Sequence, residues 1–217
     1  MGGANVIDKI KCKNKIGYDI NKYLIALLNY TKNNEINIAT ITEEEYNKVK
    51  NNKDKYSDWY IGLVGFCATF GSKYFGGYAR VKNNNRDMPS EGIHNIKKQS
   101  PNLKECKFIH GNFLDIDINN LNNCVIYCDP PYKGTTKYKT EEFPYDKYYK
   151  WVRKLSKNNI VICSEYNMPD DFICIWQKET KVNFDSNRKS NENKNKRIEK
   201  LFIHKDLYNK LLKLNEN

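Results

Sequence analysis

A chain of 217 residues with 39% hydrophobic content can bury one α/β core with a modest insertion, but not two large independent cores. Its formal net charge of +11 favours anionic partners, phosphate backbones or anionic lipid, although part of that charge belongs to a general excess of Asn, Lys and Ile. No apolar run is long enough to cross a bilayer, MGGANVIDKI lacks a signal-peptide pattern, and the seven cysteines are odd in number with no CxxC, so a soluble cytoplasmic protein with reduced, core-type cysteines is expected.

From the N-terminus, ANVIDKI carries a short helical pattern and KIGYDI an extended run ending at Asp19. NKYLIALLNYTK reads as an amphipathic helix that opens at an Asn able to cap it. From about Ile41 to Glu105 the character changes: ITEEEYNKVK reads as helix, IGLVGFCATFGSKYFGGYAR mixes glycines with aromatics, and NNNRDMPSEG is polar. The expected organisation is therefore a main domain in two parts, 1–40 and 106–217, with a mostly helical insertion over 41–105. After it KFIHG reads as a strand, NCVIYCD as a buried strand, PYDKYYKWVRKLSK as a helix and NNIVICSEY as another buried strand. FICIWQKETKVNF and RIEKLFIHK read as two strands joined by a charged loop, an antiparallel hairpin that ends the sheet. Strands alternating with helices predict a parallel sheet with helices on both faces, whose ligands bind beyond the carboxyl ends of the strands. Asp19, Asn112, Phe113, Asp129, Ser164 and Glu165 all stand just after such strands.

In CVIYCDPPYKGTTKY an apolar run stops at an acid, two prolines and a tyrosine. Proline fixes its own φ and drives the preceding residue away from helix, so Pro130 and Pro131 preset the Asp129 carboxylate and the Pro130 carbonyl as acceptors aimed at one point. A group with two hydrogens to donate, such as an exocyclic amine, fits that pair, and Tyr132 offers a flat face to an aromatic ring. An adenine amine is a weak nucleophile because its lone pair is delocalised into the ring; acceptors pulling on both hydrogens favour its reactive, pyramidal form. The same four residues also suit a plain strand-ending turn.

On these residues the chain resembles the Dam-like adenine-N6 DNA methyltransferases, in particular the forms common in phages and mobile elements, and the resemblance covers nearly the whole chain. CDPPYKGTTKY carries most of it. GGANVIDKI is similar to the family's glycine-rich S-adenosylmethionine motif, IGYDIN to the segment with the ribose-binding acid, and FIHGNFLDI to the segment on the cofactor's adenine. CSEYNMPDDFICIWQKE resembles the strand and hairpin that follow the catalytic loop.

The resemblance implies an α/β fold, a class I S-adenosylmethionine-dependent methyltransferase (Rossmann-like) sheet with a C-terminal antiparallel hairpin, and makes 41–105 the target-recognition insertion. It implies cofactor contacts from Gly2, Gly3, Ala4, Asp19, Asn112, Phe113 and Asp129, with Asp115 as an alternative to Asn112 because family members often have an acid there. It also implies that Asp129, Pro130, Pro131 and Tyr132 hold an adenine flipped out of double-stranded DNA. Lys73, Tyr78 and Arg80 of the insertion, and Lys133, Thr135 and Thr136 after the tetrad, would touch the DNA. Interleaved cations and aromatics suit phosphates and unstacked bases, and equally a small aromatic core with solvated charges. No metal is implied, and His94, His110 and His204 lack a metal-ligand spacing.

In the family a strand ending in an acid, Pro and Phe precedes the glycine motif, whereas Met1 stands directly against GGAN here. The expectation is a chain that lacks this strand, binds cofactor poorly alone and is marginally stable, being a true truncation, a chain read from an internal Met, or one whose missing part a separate chain supplies. Other function classes stay open: a non-catalytic DNA-binding remnant, or an enzyme of this fold acting on RNA or a protein amide. The Asp that opens the tetrad disfavours the latter. A bacterial or phage-infected cell, in a restriction-modification or phage setting, is the location that goes with the family.

Overall fold

The structure, a computed structural model, describes residues 3–80, 86–133, 143–181 and 196–215. They form two units, Met1–Ile116 and Asp117–Asn217.

In the first unit, β1 (Lys15–Asp19) leads into α1 (Lys22–Thr31), whose start is set by Asn21: its side-chain oxygen accepts the Tyr23 and Leu24 amides at 3.0 and 3.1 Å. α2 (Glu43–Asn51) opens on Thr42, which accepts the Glu45 amide, and three glutamates in its first turn sit at the positive end of the helix. α3 (Asp58–Cys67) follows, then α4 (Met88–Leu103), which starts behind Asp87 with Pro89 in its first turn. β2 (Cys106–His110) closes the unit by pairing in parallel with β1, Asp19 opposite His110. Leu28, Val49, Leu63, Val64, Ile93 and Phe108 share one buried core, so the helices of 41–105 pack with α1 and β2 rather than on a core of their own. α3 approaches α1 closely because Gly62 has no side chain; a Cβ there would stand 2.2 Å from the Tyr23 carbonyl oxygen.

One expected element is absent. ANVIDKI forms turns instead of a helix: the Asp8 amide reaches the Ala4 carbonyl and the Lys9 amide the Val6 carbonyl, each at 3.1 Å, and Ala4 itself has φ 60°, outside the helical region. Only the first of these has α-helical spacing, and one such bond does not offset the cost of starting a helix.

In the second unit, β3 (Val125–Cys128) is followed by α5 (Tyr145–Leu155), β4 (Ile160–Ser164), β5 (Phe172–Lys181), β6 (Lys196–His204) and α6 (Lys205–Asn215). The sheet order is β3-β4-β6-β5, with β3 and β4 parallel and β6 antiparallel to both its neighbours. The expected C-terminal hairpin is therefore present as β5 and β6. β3 departs from the expectation of a strand buried on both faces. Cys128, Val161 and Cys163 are buried on one face, whereas Val125 (67% exposed), Tyr127 and Ile160 lie open on the other. A continuous apolar run hides the period of two that distinguishes these cases.

The seven cysteines are unbridged; Cys106, Cys128 and Cys163 are buried, while Cys12 and Cys174 are exposed. No described helix is long and apolar enough to cross a membrane.

Candidate active site

β3 ends at Cys128, and the chain leaves the sheet through an exposed Asp129 and a buried Pro130. The residues that follow are tied down from several directions. Tyr145, at the start of α5, donates its hydroxyl to the Pro131 carbonyl at 2.6 Å. The Lys133 amide donates to Glu165 Oε2 at 3.1 Å. The Tyr132 hydroxyl donates to Glu199 Oε2 of β6 at 2.9 Å and, its own proton so used, accepts from the Ser164 hydroxyl at the end of β4. The Tyr132 ring stands edge-on to Tyr166, with centroids 4.5 Å apart and planes at 84°. The Pro130 carbonyl, unlike that of Pro131, accepts from no described residue.

Burial holds the Tyr132 phenol above its ordinary range, so it stays protonated and keeps donating to Glu199. Glu165 is 1% exposed; burial pushes its carboxyl upward, opposed by the amides of Tyr166, at 2.8 Å, and Lys133. The loop thus combines a carboxylate at a strand end, a neighbouring carbonyl with no donor among the described residues, and an aromatic ring fixed at its rim and its hydroxyl.

In the first unit, the ends of β1 and β2 lie side by side. The Gly111 amide donates to the Asp19 carbonyl at 3.1 Å, and Asp19 Oδ1 accepts the Asn21 amide at 2.9 Å. Asn112 Oδ1 accepts the Leu114 amide at 3.0 Å, and Asp115 Oδ2 turns back to the Asn112 amide, closing the short turn that carries a half-buried Phe113. An acid and an amide beyond the carboxyl ends of adjacent parallel strands suit a nucleoside, its hydroxyls toward Asp19 and its base toward Asn112 and Phe113. The Asn112 NH2 makes no hydrogen bond among the described residues, which leaves it able to donate to a ring nitrogen. Gly3 is exposed and Ala4 buried in the left-handed conformation; the same turn buries Asp8, whose Oδ1 has no partner among the described residues. Gly2 lies outside the described residues.

The profile of the D12 class N6 adenine-specific DNA methyltransferases matches residues 60–168, from α3 through the Asp129 loop and past β4. The chain belongs to this family. A search of curated proteins finds no match.

In this chain the residues expected to touch DNA have varied surroundings. Arg80 forks onto the carboxylate of Glu43, its Nε at 2.7 Å from Oε2. Tyr78 donates to the Ile41 carbonyl at 2.9 Å and packs edge-on to Tyr46, so its hydroxyl braces the helical segment. Lys73 and Lys133 are exposed, the Lys133 ammonium 5.6 Å from the Tyr145 ring centre. Thr135 and Thr136 lie outside the described residues. Among the described residues no group of His, Cys, Asp or Glu could hold a metal ion. Nothing local in the sequence connects Tyr145, Tyr166 or Glu199 to the tetrad; Ser164 and Glu165 stand out only by their place after a strand.

Proposed function

We propose that the chain transfers a methyl group from S-adenosylmethionine to the N6 amine of an adenine flipped out of double-stranded DNA. The observation that carries this reading is the Pro130 carbonyl, unbonded among the described residues, next in sequence to Asp129 in a loop tethered at the Pro131 carbonyl, the Tyr132 hydroxyl and the Lys133 amide. Membership of an adenine-specific DNA methyltransferase family supports the same substrate.

Bound S-adenosylmethionine supplies a methyl group activated by a sulfonium sulfur. Asp19 would accept its ribose hydroxyls, Asn112 and Phe113 would meet its adenine, and the backbone at Gly3 and Ala4 would lie along its methionine portion. In the second unit, Tyr132 stacks on the flipped base, with its own ring already ordered by Ser164, Glu199 and Tyr166, so little side-chain entropy is lost on stacking. The Asp129 carboxylate and the Pro130 carbonyl each accept one hydrogen of the amine. Both acceptors strengthen as positive charge develops on nitrogen, so they stabilise the transition state more than the ground state. The nitrogen lone pair would form the new bond to the methyl carbon as the methyl–sulfur bond breaks, its electron pair leaving on sulfur as a neutral thioether, and the proton that the nitrogen gives up would pass by way of Asp129 to water.

The test is incorporation of labelled methyl into unmodified duplex DNA, followed by nucleoside analysis. N6-methyladenine formed by this chain and abolished in Asp129→Ala supports the reading. Salt-sensitive DNA binding without methyl transfer would replace it with a DNA-binding remnant, and preference for RNA or peptide would replace the substrate.

A further inference from the structure

We infer that Glu165 is a positioning residue for this reaction, its carboxylate fixing the Asp129 to Tyr132 loop against the end of β4. The inference rests on the methyl-transfer reading for its consequence and on geometry for its substance. Glu165 is 1% exposed, and a buried carboxylate is costly unless its oxygens are bonded. Each oxygen accepts one backbone amide: Oε1 that of Tyr166 at 2.8 Å, Oε2 that of Lys133 at 3.1 Å. Those amides belong to the two segments that frame Tyr132. Lys133 directly follows it in the chain, and Tyr166 supplies the ring edge-on to it. Both partners are donors, so a group that only accepts satisfies both; a glutamine would turn an NH2 toward one N–H. The loop leaves β3 through prolines, which cannot donate to a neighbouring strand, and its Lys133 amide is the donor by which it is held to Glu165.

Glu165→Gln keeps the volume and removes one acceptor. The expected result with duplex DNA is a kcat lowered about 30- to 100-fold, since small misplacements of a reacting group cost up to about that factor. KM for DNA and for S-adenosylmethionine should stay within about 3-fold, because the variant disturbs geometry at the reacting nitrogen and not the binding surfaces. Amide hydrogen exchange gives a second measurement that needs no turnover: the Lys133 amide should be protected in the unaltered chain and lose that protection in Glu165→Gln, while the β1 and β2 amides keep theirs. Unaltered kcat in Glu165→Gln overturns the inference, as does a Lys133 amide that exchanges at free-peptide rates in the unaltered chain. Should Glu165→Gln fail to fold, the exchange measurement on the unaltered chain decides alone. Absence of methyl transfer by the unaltered chain under all conditions would sink the functional reading, yet leave the tether open to confirmation by exchange.

Discussion

Asp129 and Tyr132 act through different atoms, and substitutions can separate them. Asp129→Asn retains one acceptor and turns an NH2 toward the amine, so turnover should fall about 100- to 1,000-fold, the usual cost of losing one preorganised electrostatic contact at a reaction centre. DNA affinity measured by anisotropy should change little, and a comparable loss of binding would show that Asp129 serves recognition instead. Tyr132→Phe keeps the ring and removes the link between Ser164 and Glu199, a loss of about 1 kcal/mol and so about 5-fold in kcat. Tyr132→Ala removes the stacking face as well, worth about 1–3 kcal/mol per base, so its extra effect should appear in the KM for DNA; equal effects of Phe and Ala would contradict a stacking role. The tetrad was legible in the sequence because its residues are contiguous and two are prolines with fixed backbone consequences. Its supports were not, because Ser164 and Glu199 stand 32 and 67 residues from Tyr132 and meet it only once β4 and β6 are paired.

Elements whose ends carry local chemistry were also legible: α1 begins at the predicted Asn21 cap, and α5 follows its apolar stripe. α4 is hard to read from the sequence because it starts in a polar run and contains Pro101, and α6 because its charged stretch carries no strong boundary signal. Contacts between elements then make their own predictions. Gly62→Ala would drive a methyl into the Tyr23 carbonyl and separate α3 from α1, at a cost of about 1–3 kcal/mol or more, readable by chemical denaturation. A neutral outcome would mean these helices part easily. In the second unit, Arg153 of α5 grips Asp171 through both carboxylate oxygens, at 2.6 and 2.8 Å, and this pairing lowers the Asp171 carboxyl to about 2. A carboxyl whose folded pKa is depressed contributes stability above its unfolded pKa and loses it as pH falls through the folded value. The stability gap between the unaltered chain and Arg153→Met should therefore be full at pH 6 and shrink between about pH 4 and pH 2. A gap independent of pH over that window would assign the pair's effect to packing of the arginine stem.

At the scale of the whole molecule, the charge of +11 says nothing of the fold but predicts how binding to DNA should respond to salt. If cations of this chain displace counterions from phosphate, log Kobs should fall linearly with log salt, and each lost phosphate contact should reduce the slope by about one unit. The individual cations are not equivalent. Arg80 already shares its guanidinium with Glu43, so its replacement by Ala should change the slope by well under about one unit, whereas Lys133→Ala, beside the tetrad, should remove about one unit and weaken all DNA sequences alike. Glu43→Gln then becomes informative: by releasing Arg80 it should steepen the salt dependence if Arg80 faces the duplex, and leave it unchanged if the pair only joins the start of α2 to the segment before α4. Equilibrium titrations of a labelled duplex at several salt concentrations measure all three. A slope near zero in the unaltered chain would mark its basicity as compositional, and would remove electrostatic docking from the account of how an adenine reaches Asp129.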